Sequence, residues 1–230
     1  MIRITILDLP RAGHLDLEQD EEAQRALQDG ILIIALGGHV TVEFAPGATG
    51  VWIPETGGLE MRIIDSSFPV ADGEVFVSDF AARSAISTPM RGTAFALLAR
   101  SGCWAQVLES PPLSREPAPT LFPGTFAAEP AAHAELVRHV RAMMQNTDPV
   151  ARNRELRWIA SMLRGQQSYL DDLVSLCPGR TLARRRQVFL RLQRIRQIIA
   201  SDPSTETSLP RLAALANYSV SQFIAVFRRV

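Results

Sequence analysis

The 230-residue sequence contains no lysine, so all 24 of its Lys/Arg-type cations are arginine, and no functional class follows from that alone. Cysteine is nearly as scarce. Cys103 and Cys177 lie too far apart for a CxxC pair and match no metal-ligand spacing, which leaves reduced, buried thiols as the expectation. No apolar run approaches the roughly 18 residues that a membrane span needs. The amino terminus carries no signal-peptide pattern either, so a cytoplasmic chain with no membrane partner is expected. A Gly-rich phosphate loop, a nucleophile elbow and a paired-carboxylate arrangement are all missing. The histidines supply no metal set: His39 lacks an HxH partner, and Glu43 would lean differently along a strand. His14 sits in a polar stretch, and His133 and His139 are six apart, on different helical faces. No cofactor, no metal and no enzymatic centre are expected.

What is present in the first half is β-structure. Short runs rich in Ile, Val and Phe recur at residues 2–7, 30–36, 40–44, 51–54, 59–65, 74–78, 94–100 and 103–108, separated by Gly, Pro, Asp and Ser. That rhythm predicts an antiparallel sandwich or barrel. Gly37-Gly38 between two runs predicts a hairpin, since both residues tolerate positive φ. Val40, Val42 and Phe44 alternate with Thr41 and Glu43, the period of a strand with one buried face. Residues 18–27 read as a short helix at the domain edge. Inside the β-domain, Trp52, Arg62, Phe76, Arg91 and Phe95 could line an effector pocket, aromatic faces holding an apolar body and a guanidinium fixing a carboxylate. A filled β-core uses the same aromatics.

A proline-rich bridge over residues 110–124 can continue neither ladder nor helix and marks the end of the β-domain. After it the period changes. Residues 130–146 place Leu136, Val140, Met143 and Met144 on one helical face, and residues 150–176 place Trp158, Ile159, Met162, Leu163, Tyr169, Leu170, Leu173 and Val174 along another. The two form a helical hairpin turned near residues 146–149, whose stripe either packs on the sheet or faces a second copy of the chain. Pro178-Gly179 ends it. Thr181 can then cap a helix over residues 182–200 with a core stripe of Val188, Leu192, Ile195 and Ile199.

The final stretch, residues 208–230, reads as a helix-turn-helix. Ala213 is the small residue where the helices cross, Asn217 a turn residue that accepts the left-handed region, and Phe223 the inward anchor. Ser219 is a candidate N-cap that leaves backbone N–H groups free to meet a phosphate. Phe223 and Phe227, four apart, face the core, while Ser221, Gln222, Ala225 and Arg229 point elsewhere. Charge agrees with this. Residues 180–230 carry ten Arg against two acids, residues 1–179 fourteen Arg against twenty-two, so a net charge of zero divides into about +8 and −8. Such asymmetry is the electrostatic footprint of a nucleic-acid-binding end joined to a domain with another task.

Residues 208–229, with the arginine-rich stretch 177–196 before them, resemble the first helix-turn-helix of the AraC/XylS family of bacterial transcription regulators. The order of elements matches that family's plan as well. The resemblance implies an α+β chain in three parts: a cupin-like antiparallel β-sandwich or barrel for sensing (1–124, with its bridge), a helical hairpin for dimerisation (125–178), and half of a DNA-binding domain (179–230). It implies a homodimeric activator or repressor, controlled by a small-molecule effector or a partner, that recognises promoter DNA. Ser221, Gln222 and Ala225 then fall at base edges, with Gln222 able to bond adenine and Ala225 to touch a thymine methyl. Ser219, Arg228 and Arg229 fall at phosphates. Leu136, Val140, Met143, Trp158 and Met162 fall at the dimer contact. Family members carry a second helix-turn-helix about fifty residues further on, whereas this sequence ends at Val230. The expectation is therefore a chain truncated after its first motif, with weak promoter binding. Two alternatives stand beside it: a dimerisation or sensor fragment without DNA function, and a cupin-like enzyme.

Overall fold

One long strand, β2 (Gly30–Phe44), organises the first half of the computed structural model, which describes residues 1–44, 47–63, 66–79, 83–108, 121–201 and 208–230. Along one side β2 pairs in parallel with β1 (Arg3–Asp16), from Arg3 opposite Gly30 to Asp16 opposite Glu43. A parallel pair needs a crossover, and α1 (Glu21–Asp29) provides it; the Asp20 carboxylate caps this helix by accepting from the Ala23 N–H at 2.8 Å. On its other side β2 changes partner midway. Residues 31–36 pair with β8 (Thr93–Arg100) and residues 41–44 with β7 (Ser84–Ser87), both antiparallel.

The change of partner corrects the expected hairpin at Gly37-Gly38: the strand runs straight through. Thr88 and Pro89 stitch the gap where β7 and β8 diverge. The Thr88 hydroxyl donates to the Gly37 carbonyl and accepts from the Val40 N–H, and the His39 N–H donates to the Pro89 carbonyl. These glycines serve close approach. A Cβ on Gly37 would stand 1.8 Å from the Pro10 carbonyl oxygen, and one on Gly38 2.0 Å from that of Met90; the positive φ belongs instead to His39 (63°). Gly37→Ala should therefore lower the chemical-denaturation midpoint, by about 1–3 kcal/mol of stability, as overpacking against fixed backbone does.

The remaining strands are β3 (Ala48–Thr56), β4 (Leu59–Ile63), β5 (Ser66–Val70), β6 (Glu74–Asp79) and β9 (Gly124–Ala127). The sheet runs β5-β4-β7-β2-β8-β3-β6-β9 with β1 beside β2, and apart from β1·β2 every pair is antiparallel. It curls into a nearly closed barrel followed by helices, so the α+β class read from the sequence holds. The strand expected at 103–108 is instead a helix, α2 (Ser101–Leu108), which buries Trp104 and Val107, three apart, on one face. Most of the proline-rich bridge lies outside the described residues.

Period-2 alternation sorts the sheet's side chains into two cores. Leu32, Ile34, Trp52, Phe76, Ala96 and Leu98 fill the barrel interior. Ile31, Ile33, Val51, Val77, Phe95 and Leu97 point outward, under α2, α3 (Pro130–Gln145) and α4 (Pro149–Gln166). Asn153 on α4 clamps the first strand by accepting from the Ile2 N–H and donating to the Ile2 carbonyl, both at 2.9 Å. The second hairpin helix, expected to run unbroken to residue 176, breaks after α4 and resumes as α5 (Leu170–Leu176). At the break Gln167, 1% exposed, accepts from the Phe122 N–H and donates to the Phe122 carbonyl, turning the chain from the outward core to a third one.

Candidate nucleic-acid interface

The third core gathers Phe122, Leu170 and Val174 with residues of α6 (Leu182–Ser201), α7 (Leu209–Leu215) and α8 (Val220–Phe227). On α6 the buried stripe is Val188, Phe189, Leu192 and Ile195, whereas Ile199, expected in that stripe, is 39% exposed at the far end. The Thr181 hydroxyl accepts from the Arg184 N–H and caps the helix, as its sequence position implied.

Between α7 and α8 the chain turns through a closed set of local bonds. Asn217 takes φ of 56°. Its N–H bonds the Ala214 carbonyl, and the Tyr218 N–H reaches back to the Ala213 carbonyl at 2.9 Å, so α7 ends in a Schellman motif with asparagine in the left-handed place. Ser219 then caps α8 with a full capping box: its hydroxyl accepts from the Gln222 N–H and the Gln222 side chain accepts from the Ser219 N–H. Ala213 and Phe223 are buried where the two helices meet, and the Phe223 and Phe227 rings pack at a tilt with centroids 5.2 Å apart.

Opposite those phenylalanines, Ser221, Gln222, Ala225, Arg228 and Arg229 are all exposed and share one side of α8, with Ser219 at its start. The six residues assigned to DNA from the sequence are thus brought together. The Gln222 carboxamide oxygen is itself engaged with the Ser219 N–H at 3.4 Å. Arg180, Arg184, Arg211 and Arg228 are exposed and pair with no carboxylate among the described residues. Asp202 and Glu206, the only acids of this segment, lie outside the described residues.

Cys177, 3% exposed, lies beneath this basic layer. Burial pushes its thiol up to about 11, against the opposing pull of the Arg196, Arg185 and Arg229 charges. A raised acid pKa means that the folded state holds the proton more tightly, so the corresponding stability is present below pH 9 and lost as pH rises toward 11. A disulfide reagent at pH 8 should accordingly modify Cys177 only on unfolding; rapid labelling of Cys177 in the native Cys103→Ser chain would contradict this burial.

The other sequence-derived sites fare differently. Trp52 and Phe76 are fully buried inside the barrel, Phe95 lies in the outward core across the sheet, and Arg62 and Arg91 are exposed. The five do not line one pocket, because odd and even residues of β3, β6 and β8 face opposite sides. The Trp52 indole N–H is already satisfied by the Ser78 hydroxyl at 2.9 Å. Leu136, Val140 and Met143 are fully buried against sheet and helix, which corrects their assignment to a dimer surface; Trp158, stacked on His139, and Met162 are partly exposed. Among the described residues no cluster of three His, Cys, Asp or Glu could hold a metal, and no helix is long and apolar enough to cross a membrane.

No protein-family model matches the sequence, and no curated protein does. Among solved structures, the chain is similar to wild-type ToxT from Vibrio cholerae bound to an unsaturated fatty acid. That match has a TM-score of 0.39 at 11% identity and covers 86% of this chain and 90% of that one. The AraC-like transcriptional activator CuxR matches at TM-score 0.35 and 12% identity over 80% of this chain and 61% of its own. A cupin-2 domain protein from Shewanella frigidimarina matches at TM-score 0.26 and 14% identity over 31% and 69%. Resemblance at these scores is loose, and the chain's own residues carry its chemistry.

Proposed function

We propose that this chain is a DNA-binding transcription regulator rather than an enzyme, and that α8 is its reading helix. The observation that carries the reading is the α7–α8 unit itself: a left-handed asparagine turn, a complete capping box, and an exposed face of small polar residues ending in two arginines. Such a face has the width and chemistry of the major groove, where Ser221, Gln222 and Ala225 meet base edges while Ser219, Arg228 and Arg229 hold phosphates. The division of labour follows the elements: residues 1–124 as sensor, 125–178 as the connecting hairpin, 179–230 as the DNA-reading part. A homodimer formed through the hairpin would use its outer side, where Trp158 and Met162 retain exposure. A single reading helix makes few contacts, so binding through α8 alone is expected to be weak.

Selection of duplexes from a random pool, followed by salt titration of the winner, tests this. Arg228→Ala should weaken all duplexes alike and reduce the salt slope by about 1, whereas Gln222→Ala should relax preference at one position. A chain that shows no preference among duplexes at low salt is not such a regulator, and nanomolar specific binding by a single chain at physiological salt would refute the weak-binding part.

A further inference from the structure

The capping box of α8 limits what Gln222 can offer to a base. The Ser219 N–H has no backbone acceptor among the described residues, and the Gln222 carboxamide oxygen, at 3.4 Å, is the atom that takes it. Turning the amide over would set its NH2 group against that N–H, donor against donor. The oxygen is therefore held inward by the chemistry of the pair, whatever the length of the bond. The other half of the box anchors the root of the same residue, whose N–H donates to the Ser219 hydroxyl at 3.3 Å. What remains for a partner is the carboxamide nitrogen. It has no acceptor among the described residues, and Gln222 is exposed.

Base edges in the major groove divide by the same chemistry. Adenine pairs with a glutamine through two bonds, one into its N7 and one from its N6 amino group, and the second needs the oxygen that Ser219 holds. Guanine presents two acceptors, N7 and O6, to which one NH2 group can give both hydrogens. Thymine offers a single acceptor and cytosine only a donor. Ser219 can still hold a phosphate without releasing Gln222, because its hydroxyl proton is free when Ser221 is the donor of the hydroxyl pair they form at 3.3 Å. We propose that the capping box makes Gln222 a donor-only reader, which selects guanine over adenine at the base pair it meets; this rests on the DNA-binding reading above.

In the test, the 230-residue chain and its Gln222→Glu variant each select duplexes from one random pool at low salt, and duplexes differing at a single base pair are then compared by fluorescence anisotropy. Glutamate serves a capping box as glutamine does, so the variant should melt with the parent. Its outward atom, however, is an acceptor. At one position the parent should favour guanine over adenine by about tenfold, and the variant should turn there to cytosine, whose N4 amino group donates, with the rest of the selected site unchanged. Gln222→Ala should flatten that same position. A parent that favours adenine at the position set by Gln222, or a glutamate variant with the parent's preference at every position, would overturn the inference while leaving α8 as a DNA reader. A parent without preference among duplexes loses that reading, and the inference with it.

Discussion

Trp52→Ala is expected to remove about 3–5 kcal/mol of stability, the usual cost of deleting a large aromatic side chain from a close-packed interior. Trp52 is fully buried, packs on Phe44 with ring centroids 5.2 Å apart, and donates to Ser78, whose hydroxyl also accepts from the Gly50 N–H. The space around it is full. A Cβ on Gly50 would come within 2.6 Å of the indole nitrogen, so the neighbours cannot easily collapse into the gap. A domain is typically stable by about 5–15 kcal/mol, so the variant should melt far below the parent and its urea midpoint should fall accordingly. Trp52→Phe keeps most of the apolar volume and should cost less, chiefly the bond to Ser78. A loss under about 1 kcal/mol for the alanine variant would mean that the interior around Trp52 is loose enough to admit a ligand, reviving the barrel pocket that the sequence allowed.

The contrast between the two ends of the chain explains what sequence alone could and could not reveal. The α7–α8 unit was legible because its determinants are local: a left-handed asparagine, a serine cap and its glutamine partner lie within six residues, and each acts through its immediate backbone. Alternation likewise exposed most strands of the barrel, since a residue's face is fixed by parity. Parity does not say which face is the barrel interior, however, and so Phe95 was grouped with Trp52 although the sheet separates them.

Errors arose where a residue answers to a distant segment. Gly37 and Gly38 are small because Pro10 and Met90 approach them from other strands, and nothing in their own neighbourhood distinguishes that need from a turn. The first strand runs on to Asp16, well past the apolar run at 2–7, because an edge strand tolerates Pro10 and Gly13. Gln167 is unremarkable in a helical pattern until Phe122, 45 residues earlier, is placed against it. The α2 segment did carry a signal, Trp104 and Val107 at helical spacing, which a period-2 reading of so short a run obscured.

The sharpest functional prediction concerns Asn217, because there one backbone angle decides where α8, the proposed reading helix, points. Its φ of 56° is tolerable for asparagine and unfavourable for a β-branched residue, so Asn217→Val should cost about 1–3 kcal/mol in the turn. To escape that strain the turn must open, which breaks the Tyr218 N–H bond to the Ala213 carbonyl and lets Phe223 leave its place against Ala213. The barrel shares none of these contacts, so its cooperative melting should be unchanged, while affinity for a selected duplex should fall more than tenfold, about 1.4 kcal/mol or more. Asn217→Gly, which adopts the same angle without strain, should retain binding. If the valine variant bound duplex as well as the parent while its α8 amides exchanged faster, the helix would be displaced without consequence, and α8 would not be the element that reads DNA.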